Sequence, residues 1–221
     1  MLKVLALPLL LFAAAFSGCS NDPHPPPWKE TRADGSPWIV RYGGMGEDVR
    51  SLDPQVAYDQ MSKTVLESVY DTLLEYHPMK TDPYELMPGL LEAMPKRIVN
   101  ADGTVTYECR LKQGIMFQDD PCFPEGKGLE LVADDVHFAW QRICDPHVEC
   151  PVFSSLAEFI IGFSEAFEEA KNAGKFDYSK PLRGLEVVDK YTFRVHLAKP
   201  YPQLKFWMAM PFTTPVAREA V

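Results

Sequence analysis

Basic residues are few and scattered in this sequence: 22 Lys and Arg stand against 31 Asp and Glu, and the formal net charge is -9. Proteins that bind nucleic acid usually gather Lys and Arg on one face, so the lack of such a cluster argues against that class. An acidic surplus mainly favours solubility and identifies no partner. The sequence has no internal repeat. Its 221 residues, 46% of them hydrophobic, suffice for one or two domains with a substantial core.

The sequence motifs of common enzyme classes are also lacking. There is no Gly-x-Ser-x-Gly nucleophile motif and no glycine loop followed by Lys-Ser or Lys-Thr to hold a phosphate. Gly43, Gly44 and Gly46 follow a predicted strand, but they do not have the dinucleotide-binding spacing and predict a turn instead. We therefore expect no catalytic residue, no metal ion and no cofactor, and we do not expect an enzyme.

No apolar run is long enough to span a bilayer as a helix of the mature protein. The longest, residues 4–15, follows Lys3 at the N-terminus. A short positive region followed by an apolar run of this length is typical of a signal peptide. We therefore expect export from the cytoplasm, with the signal peptide at residues 1–18.

Residues 16–19, Phe-Ser-Gly-Cys, resemble a bacterial lipobox, with Phe16 where Leu is usual. The resemblance implies that Cys19 is the lipid anchor that holds the protein at the membrane, since several acyl chains on one residue give stable anchoring. An ordinary signal peptide cleaved nearby is the alternative. Residues 19–37 are rich in proline and polar side chains, which predicts an extended tether rather than a packed core.

Two of the five cysteines lie close together, in residues 144–150 with the sequence CDPHVEC. In an exported protein such a spacing favours a disulfide, here between Cys144 and Cys150. Free thiols and a zinc site that includes His147 are the alternatives left open. Cys109 falls on the inward side of a predicted strand and is expected to be a small buried apolar residue.

The strongest local pattern lies between residues 102 and 142. Residues 104–111 alternate between apolar and polar side chains, as in a half-buried strand. The apolar set on one side is Val105, Tyr107, Cys109 and Leu111. Residues 133–143 place their apolar side chains on one face of a predicted helix. Val132, just before that helix, cannot accept a hydrogen bond as an N-cap residue would, which should cost about 1 kcal/mol.

This stretch resembles the signature of the family 5 solute-binding proteins of bacterial ABC importers, the oligopeptide- and dipeptide-binding group. Residues 103–119 match its Thr-Tyr strand and the glycine turn that follows, here Lys112-Gln113-Gly114, and residues 133–142 match its Ala-x-Asp-Val helix and terminal Arg. Residues 118–120 depart from the usual His-Asp-Gly, and the loop at 121–130 is longer than in the family. The tripeptide Leu-Asp-Pro at residues 52–54 matches another family block; taken alone it predicts only a turn.

The remaining elements are expected in the order that this family shows. A strand is predicted at residues 38–42, and a helix is predicted from Asp59 to about Tyr76, followed by short helical turns between the prolines of residues 83–92. Further elements are predicted as a helix at 154–170 that Gly162 interrupts, strands at 185–188 and 192–197, and a helix at 204–210.

The resemblance implies an α/β fold of the periplasmic-binding-protein kind, class II with two lobes, present here as an N-terminal fragment with an added small α/β subdomain. Residues 38–69 would begin the large lobe and residues 70–214 would form the small subdomain. Residues 215–221 would return to the large lobe, where the sequence stops. The opposing lobe would lie in a portion that this sequence does not contain.

The same resemblance implies a monomeric substrate-binding component of an ABC importer, lipid-anchored on the periplasmic or extracytoplasmic side of the cell membrane. It would capture a peptide or similar small solute and deliver it to permease subunits. In relatives the segment after Leu-Asp-Pro lines the cleft, which points to Tyr58, Asp59 and Gln60 as ligand-binding residues. For Asp59 the alternative is a helix cap. An exported lipoprotein hydrolase, or a sensory or structural lipoprotein without transport, remains the alternative function.

Overall fold

The computed structural model describes residues 47–221. The predicted signal peptide at 1–18, the tether at 19–37 with the lipid anchor Cys19, and the predicted strand at 38–42 lie outside these residues. Within the described part, no helix combines the length and apolar character needed to cross a bilayer.

Helices and strands are mixed along the described chain, as expected for the α/β class. The helices are α1 (Gln60–Val69), α2 (Ala133–Cys144), α3 (Phe153–Ala157), α4 (Phe163–Ala173) and α5 (Leu204–Trp207). The strands are β1 (Leu74–Thr81), β2 (Tyr84–Pro88), β3 (Lys96–Val99), β4 (Val105–Arg110), β5 (Leu185–Val187) and β6 (Thr192–Leu197). Short 3-10 turns cover Pro124–Gly126, Pro211–Thr213 and Arg218–Ala220.

Four of the strands form an antiparallel sheet in the order β3-β4-β6-β5. Strand β4 pairs with β6 along its whole length, from Val105 opposite Leu197 to Arg110 opposite Thr192. The predicted inward set of β4 and the residue after it is confirmed, since Val105, Tyr107, Cys109 and Leu111 are all buried; on the other side, Thr106 is buried as well. The four inward side chains belong to one apolar core together with the buried side chains of α2.

Helix α2 begins where the sequence predicts and ends one residue later, and it buries the expected face: Val136, Ala139, Trp140 and Ile143. The Val132 side chain cannot accept a hydrogen bond from the first turn of the helix. The reverse contact is present, since the Asp135 carboxylate Oδ2 accepts the Val132 amide hydrogen at 2.8 Å. Burial raises the pKa of Asp135 to about 6. The helix therefore starts on a carboxyl group that is partly desolvated.

The helix predicted from Asp59 to Tyr76 is wrong beyond Val69, because Tyr70 takes an extended backbone conformation. The carbonyl of Leu73 accepts hydrogen bonds from the amides of residues 89 and 91, and Leu74 donates to the carbonyl of Met208. These long-range partners replace helical ones. Leu74 opens the hairpin β1–β2, in which it lies opposite Pro88. The short helical turns expected at residues 83–92 are likewise wrong, because β2 occupies this stretch.

The predicted interruption at Gly162 is confirmed. Gly162 has φ +83°, a conformation that suits glycine, and it separates α3 from α4. A side chain at this position would also approach Arg183. The strands β5 and β6 lie where predicted, with Phe193, Val195 and Leu197 buried. The last helix, α5, is shorter than the predicted 204–210 and passes into the turn Pro211–Thr213.

Candidate functional site

The Leu-Asp-Pro tripeptide forms a turn, as its sequence predicts. The Asp53 side chain Oδ1 accepts the Gln55 amide hydrogen at 3.0 Å, and the Asp53 carbonyl accepts those of Val56 and Ala57 at 3.1 and 2.9 Å. Side-chain acceptance two residues on is the usual way that Asp organises a turn. We call residues 53–57 the 53–57 turn. It leads directly into the segment that the sequence predicts as ligand-binding.

The 53–57 turn is tied to the signature helix by an ion pair. Arg142, on the last turn of α2, donates from Nη1 to Asp53 Oδ1 at 3.0 Å and from Nη2 to Asp53 Oδ2 at 2.5 Å. The Arg142 side chain is 6% exposed and that of Asp53 is 31% exposed. Burial alone would lower the pKa of Arg142, but the hydrogen bonds and charge of Asp53 outweigh it and raise the pKa above its ordinary value. A guanidinium this deeply buried requires such a two-point partner.

Gln55 joins Asp53 and Arg142 in a polar cluster that reaches the segment after α5. Its side chain is fully buried; Oε1 accepts from Arg142 Nη1, and Nε2 donates to the carbonyls of Phe212 and Thr214 at 3.4 and 3.2 Å. One amide side chain therefore joins the 53–57 turn, α2 and the segment after α5. The local sequence pattern does not single out Gln55. The available signal was that Asp53 and Arg142, inside two separate family blocks, carry opposite charges.

The three predicted ligand residues lie just beyond this cluster. Tyr58 is 75% exposed, with its ring centroid 6.2 Å from that of Phe212. Asp59 caps α1, because its Oδ1 accepts the Ser62 amide hydrogen at 2.9 Å, and that backbone hydrogen bond lowers the pKa of Asp59. Gln60 is the exposed first residue of the helix. The cap interpretation of Asp59 is thus confirmed, while the ligand-binding role of all three residues remains a prediction.

A cleft of about 750 Å³ borders the 53–57 turn, since Asp53 and Pro54 line it. Its walls include Leu52, Asp53, Pro54, Tyr70, Asp71, Ile115, Met116, Phe117, Arg142, Thr214, Pro215 and Val216. Tyr58, Asp59 and Gln60 are not among the described residues that line it. The cleft therefore shares Asp53 and Arg142 with the polar cluster but not the predicted ligand segment.

The expected disulfide between Cys144 and Cys150 is corrected by the structure, which contains both as free thiols. Both are buried in the apolar core. Burial raises the pKa of Cys144 well above its ordinary value and that of Cys150 to about 11. Because the thiolate is the form that reacts, burial disfavours oxidation at this pair.

The metal alternative for residues 144–150 has no support in the geometry. Asp145 is engaged instead in local hydrogen bonds, accepting from the Tyr178 hydroxyl at 2.7 Å and from the His147 amide at 2.9 Å. Within residues 47–221, no three His, Cys, Asp or Glu side chains are grouped so that they could hold a metal ion.

The described fold matches part of several larger solved structures. The pheromone receptor PrgZ superposes with a TM-score of 0.61 at 24% identity, over 80% of this chain and 30% of PrgZ. The OppA of Burkholderia pseudomallei superposes with a TM-score of 0.58 at 24% identity, over 78% of this chain and 29% of that protein. At these identities the likeness establishes the fold, a mixed α/β arrangement found in part of the OppA-like proteins.

Sequence comparison then shows the family. Residues 85–220 match the family described as "Bacterial extracellular solute-binding proteins, family 5 Middle", and the chain belongs to this family. The periplasmic oligopeptide-binding protein OppA of Escherichia coli K12 is 28% identical over 183 residues, 80% of this chain and 28% of that protein. Di/tripeptide-binding protein 4 of Pseudomonas aeruginosa is 32% identical over 148 residues, 67% of this chain and 24% of that protein. The predicted family is confirmed, and the chain spans less than a third of these relatives.

Proposed function

We propose that these residues belong to the substrate-binding component of an ABC importer that captures peptides and delivers them to a permease. The observation that carries the proposal is the family match over residues 85–220, together with relatives that are named for binding oligopeptides and di- or tripeptides. In the two-lobed, class II arrangement, residues 38–69 and 215–221 would contribute to the large lobe and residues 70–214 would form a small subdomain. Closure of the lobes would bury the ligand.

The ligand segment in this proposal is Tyr58, Asp59 and Gln60. Asp59 suits a peptide amine, because the Ser62 backbone hydrogen bond lowers its pKa and keeps the carboxylate ionised. The exposed Tyr58 ring would add apolar contact with the ligand. Main-chain hydrogen bonds to an extended peptide would tolerate many side chains. The Cys19 lipid anchor would keep the receptor at the extracytoplasmic face of the membrane, next to the permease.

Isothermal titration with a peptide library tests this proposal. The titration is made on the 221-residue chain and, beside it, on a full-length receptor that contains these residues. We expect heat of binding from the full-length receptor and little or none from the shorter chain, because the ligand is enclosed only between two lobes. Asp59→Asn should weaken binding of peptides with a free amine more than that of N-acetylated peptides. Tight binding by the 221-residue chain, or equal binding of both peptide forms, contradicts the proposal.

A further inference from the structure

The candidate ligand segment has few attachments of its own. Tyr58 is largely exposed, and the hydrogen bond recorded for the Asp59 side chain is to the helix that follows it. The residues before the segment are different, since Gln55 and Ala57 are buried. The direction in which Tyr58 and Asp59 point therefore depends on the two elements on either side of them: α1, which is anchored by buried Ser62 and Leu66, and the 53–57 turn. Besides the bonds of Gln55 to the carbonyls of Phe212 and Thr214, the turn is held by a side chain far away in the sequence, that of Arg142.

We propose that Arg142 is a positioning residue for the segment Tyr58, Asp59 and Gln60. This inference rests on the proposed function, in which those residues contact the ligand. Arg142 binds both oxygens of Asp53 and the side-chain oxygen of Gln55, so one guanidinium fixes two residues of the turn at once. Its Nε is buried without a hydrogen-bond partner among the described residues, so Arg142 contacts the turn through Nη1 and Nη2 alone. Arg142 does not itself need to touch the ligand.

The arrangement depends on the forked shape of the guanidinium. Asp53 Oδ1 accepts hydrogen bonds from both Arg142 and the Gln55 amide, so the ion pair and the turn share one atom. A lysine ammonium is a single point of charge and cannot bridge Asp53 and Gln55 with the same planar geometry. With lysine at this position, the part-exposed Asp53 carboxylate is free to rotate toward water, and the turn loses the contact that orders it.

Hydrogen–deuterium exchange on the 221-residue chain tests the positioning role directly. We expect Arg142→Lys to speed exchange of the amides of residues 55–62 about tenfold, as a local opening rather than global unfolding. The amides of β4 and β6 should keep their wild-type rates. Arg194→Lys is the matched control: Arg194 also donates twice to a carboxylate, to Glu108 Oε2 at 2.9 and 2.8 Å, but on the sheet and away from the turn. It should leave residues 55–62 unchanged.

A double variant shows whether the effect passes through the shared contact. If Arg142 acts through Asp53, then Asp53→Asn combined with Arg142→Lys should speed exchange in residues 55–62 no more than the stronger single variant does. Additive effects would mean that the two residues act separately and would overturn the proposal. Unchanged exchange in residues 55–62, or equal acceleration throughout the sheet, would also overturn it, the latter by showing a role in general stability only.

Peptide affinity of the full-length receptor gives the functional arm. Arg142→Lys should raise the peptide Kd about tenfold while the melting temperature stays close to that of Arg194→Lys. An unchanged Kd together with faster exchange would show that the segment moves without consequence and would overturn the positioning role. If the wild-type receptor binds no peptide, the proposed function fails, and the exchange data alone decide whether Arg142 positions the segment.

Discussion

Replacing Trp140 by Phe should destabilise the protein more than any comparable change of an aromatic side chain at its surface. Trp140 is fully buried on α2, its indole Nε1 donates to the carbonyl of Thr213 at 3.1 Å, and its ring meets Phe163 edge to face at 6.5 Å between centroids. Phe fills less of the space and cannot donate, so the substitution leaves a small cavity and a buried carbonyl without its partner. Together these should cost about 2–4 kcal/mol.

Urea denaturation followed by far-UV circular dichroism measures this loss without relying on tryptophan emission. The control is Trp207→Phe. Trp207 is only partly buried, and it donates to the Tyr201 hydroxyl at 2.9 Å, which can turn toward water once its partner is gone. Trp207→Phe should cost no more than about 1 kcal/mol. If Trp140→Phe costs less than that, or no more than Trp207→Phe, the role assigned to the indole hydrogen bond is refuted.

The remaining predictions concern charge and thiol reactivity. Burial raises the pKa of Asp135 to about 6, so ionisation of this carboxyl destabilises the folded state at neutral pH. The variant Asp135→Asn should therefore become more stable than the wild type as pH rises from about 4 to about 6. Urea titrations at pH 7 should show a difference in unfolding free energy of about 1–2 kcal/mol. Comparison with this variant separates Asp135 from His137, whose pKa burial lowers and which therefore acts in the opposite direction. Glu130 accepts hydrogen bonds from Lys190, the Gly114 amide and the Tyr191 hydroxyl, and these contacts lower the pKa of Glu130 to about 2. The wild type should therefore be more stable than Glu130→Gln at neutral pH, and this advantage should disappear as pH falls from about 4.5 toward 2. Among the described cysteines, native-state alkylation with iodoacetamide followed by mass spectrometry should label exposed Cys122 first and leave Cys109 and Cys144 unmodified; early labelling of either buried thiol contradicts the packing.

The central strand and helix were predictable because local pattern and tertiary environment agree there. Apolar and polar residues alternate along the sequence of β4, and α2 carries one apolar face. Each element therefore has only one orientation that buries its apolar residues. Gly162 was predictable for a similar reason, since glycine within a helical pattern marks a position where the backbone departs from the helix. At Asp59 the helix cap was one of two interpretations, and the geometry supports it without excluding ligand contact.

Other features depend on contacts that a local pattern does not contain. Leu73 and Leu74 continue the helical spacing of α1, and both are buried in the structure. Their backbone hydrogen bonds to residues 89, 91 and 208 replace helical ones, so the helix ends before them. The expected disulfide rested on the spacing of two cysteines, which says nothing of how deeply each is buried. Gln55 directly follows the Leu-Asp-Pro block, but no local pattern predicts that its side chain is buried. Its importance comes from carbonyls that lie more than a hundred residues later in the chain.

That last contact has a consequence for synthesis on the ribosome. Gln55 is made early, yet the carbonyls that receive its amide hydrogens belong to Phe212 and Thr214, 157 and 159 residues further on. Until those residues leave the exit tunnel, the amide has only water to bond with, and the residues around it cannot settle into their final place. The turn that leads into the candidate ligand segment therefore reaches its final contacts only after residues 212 and 214 have been made.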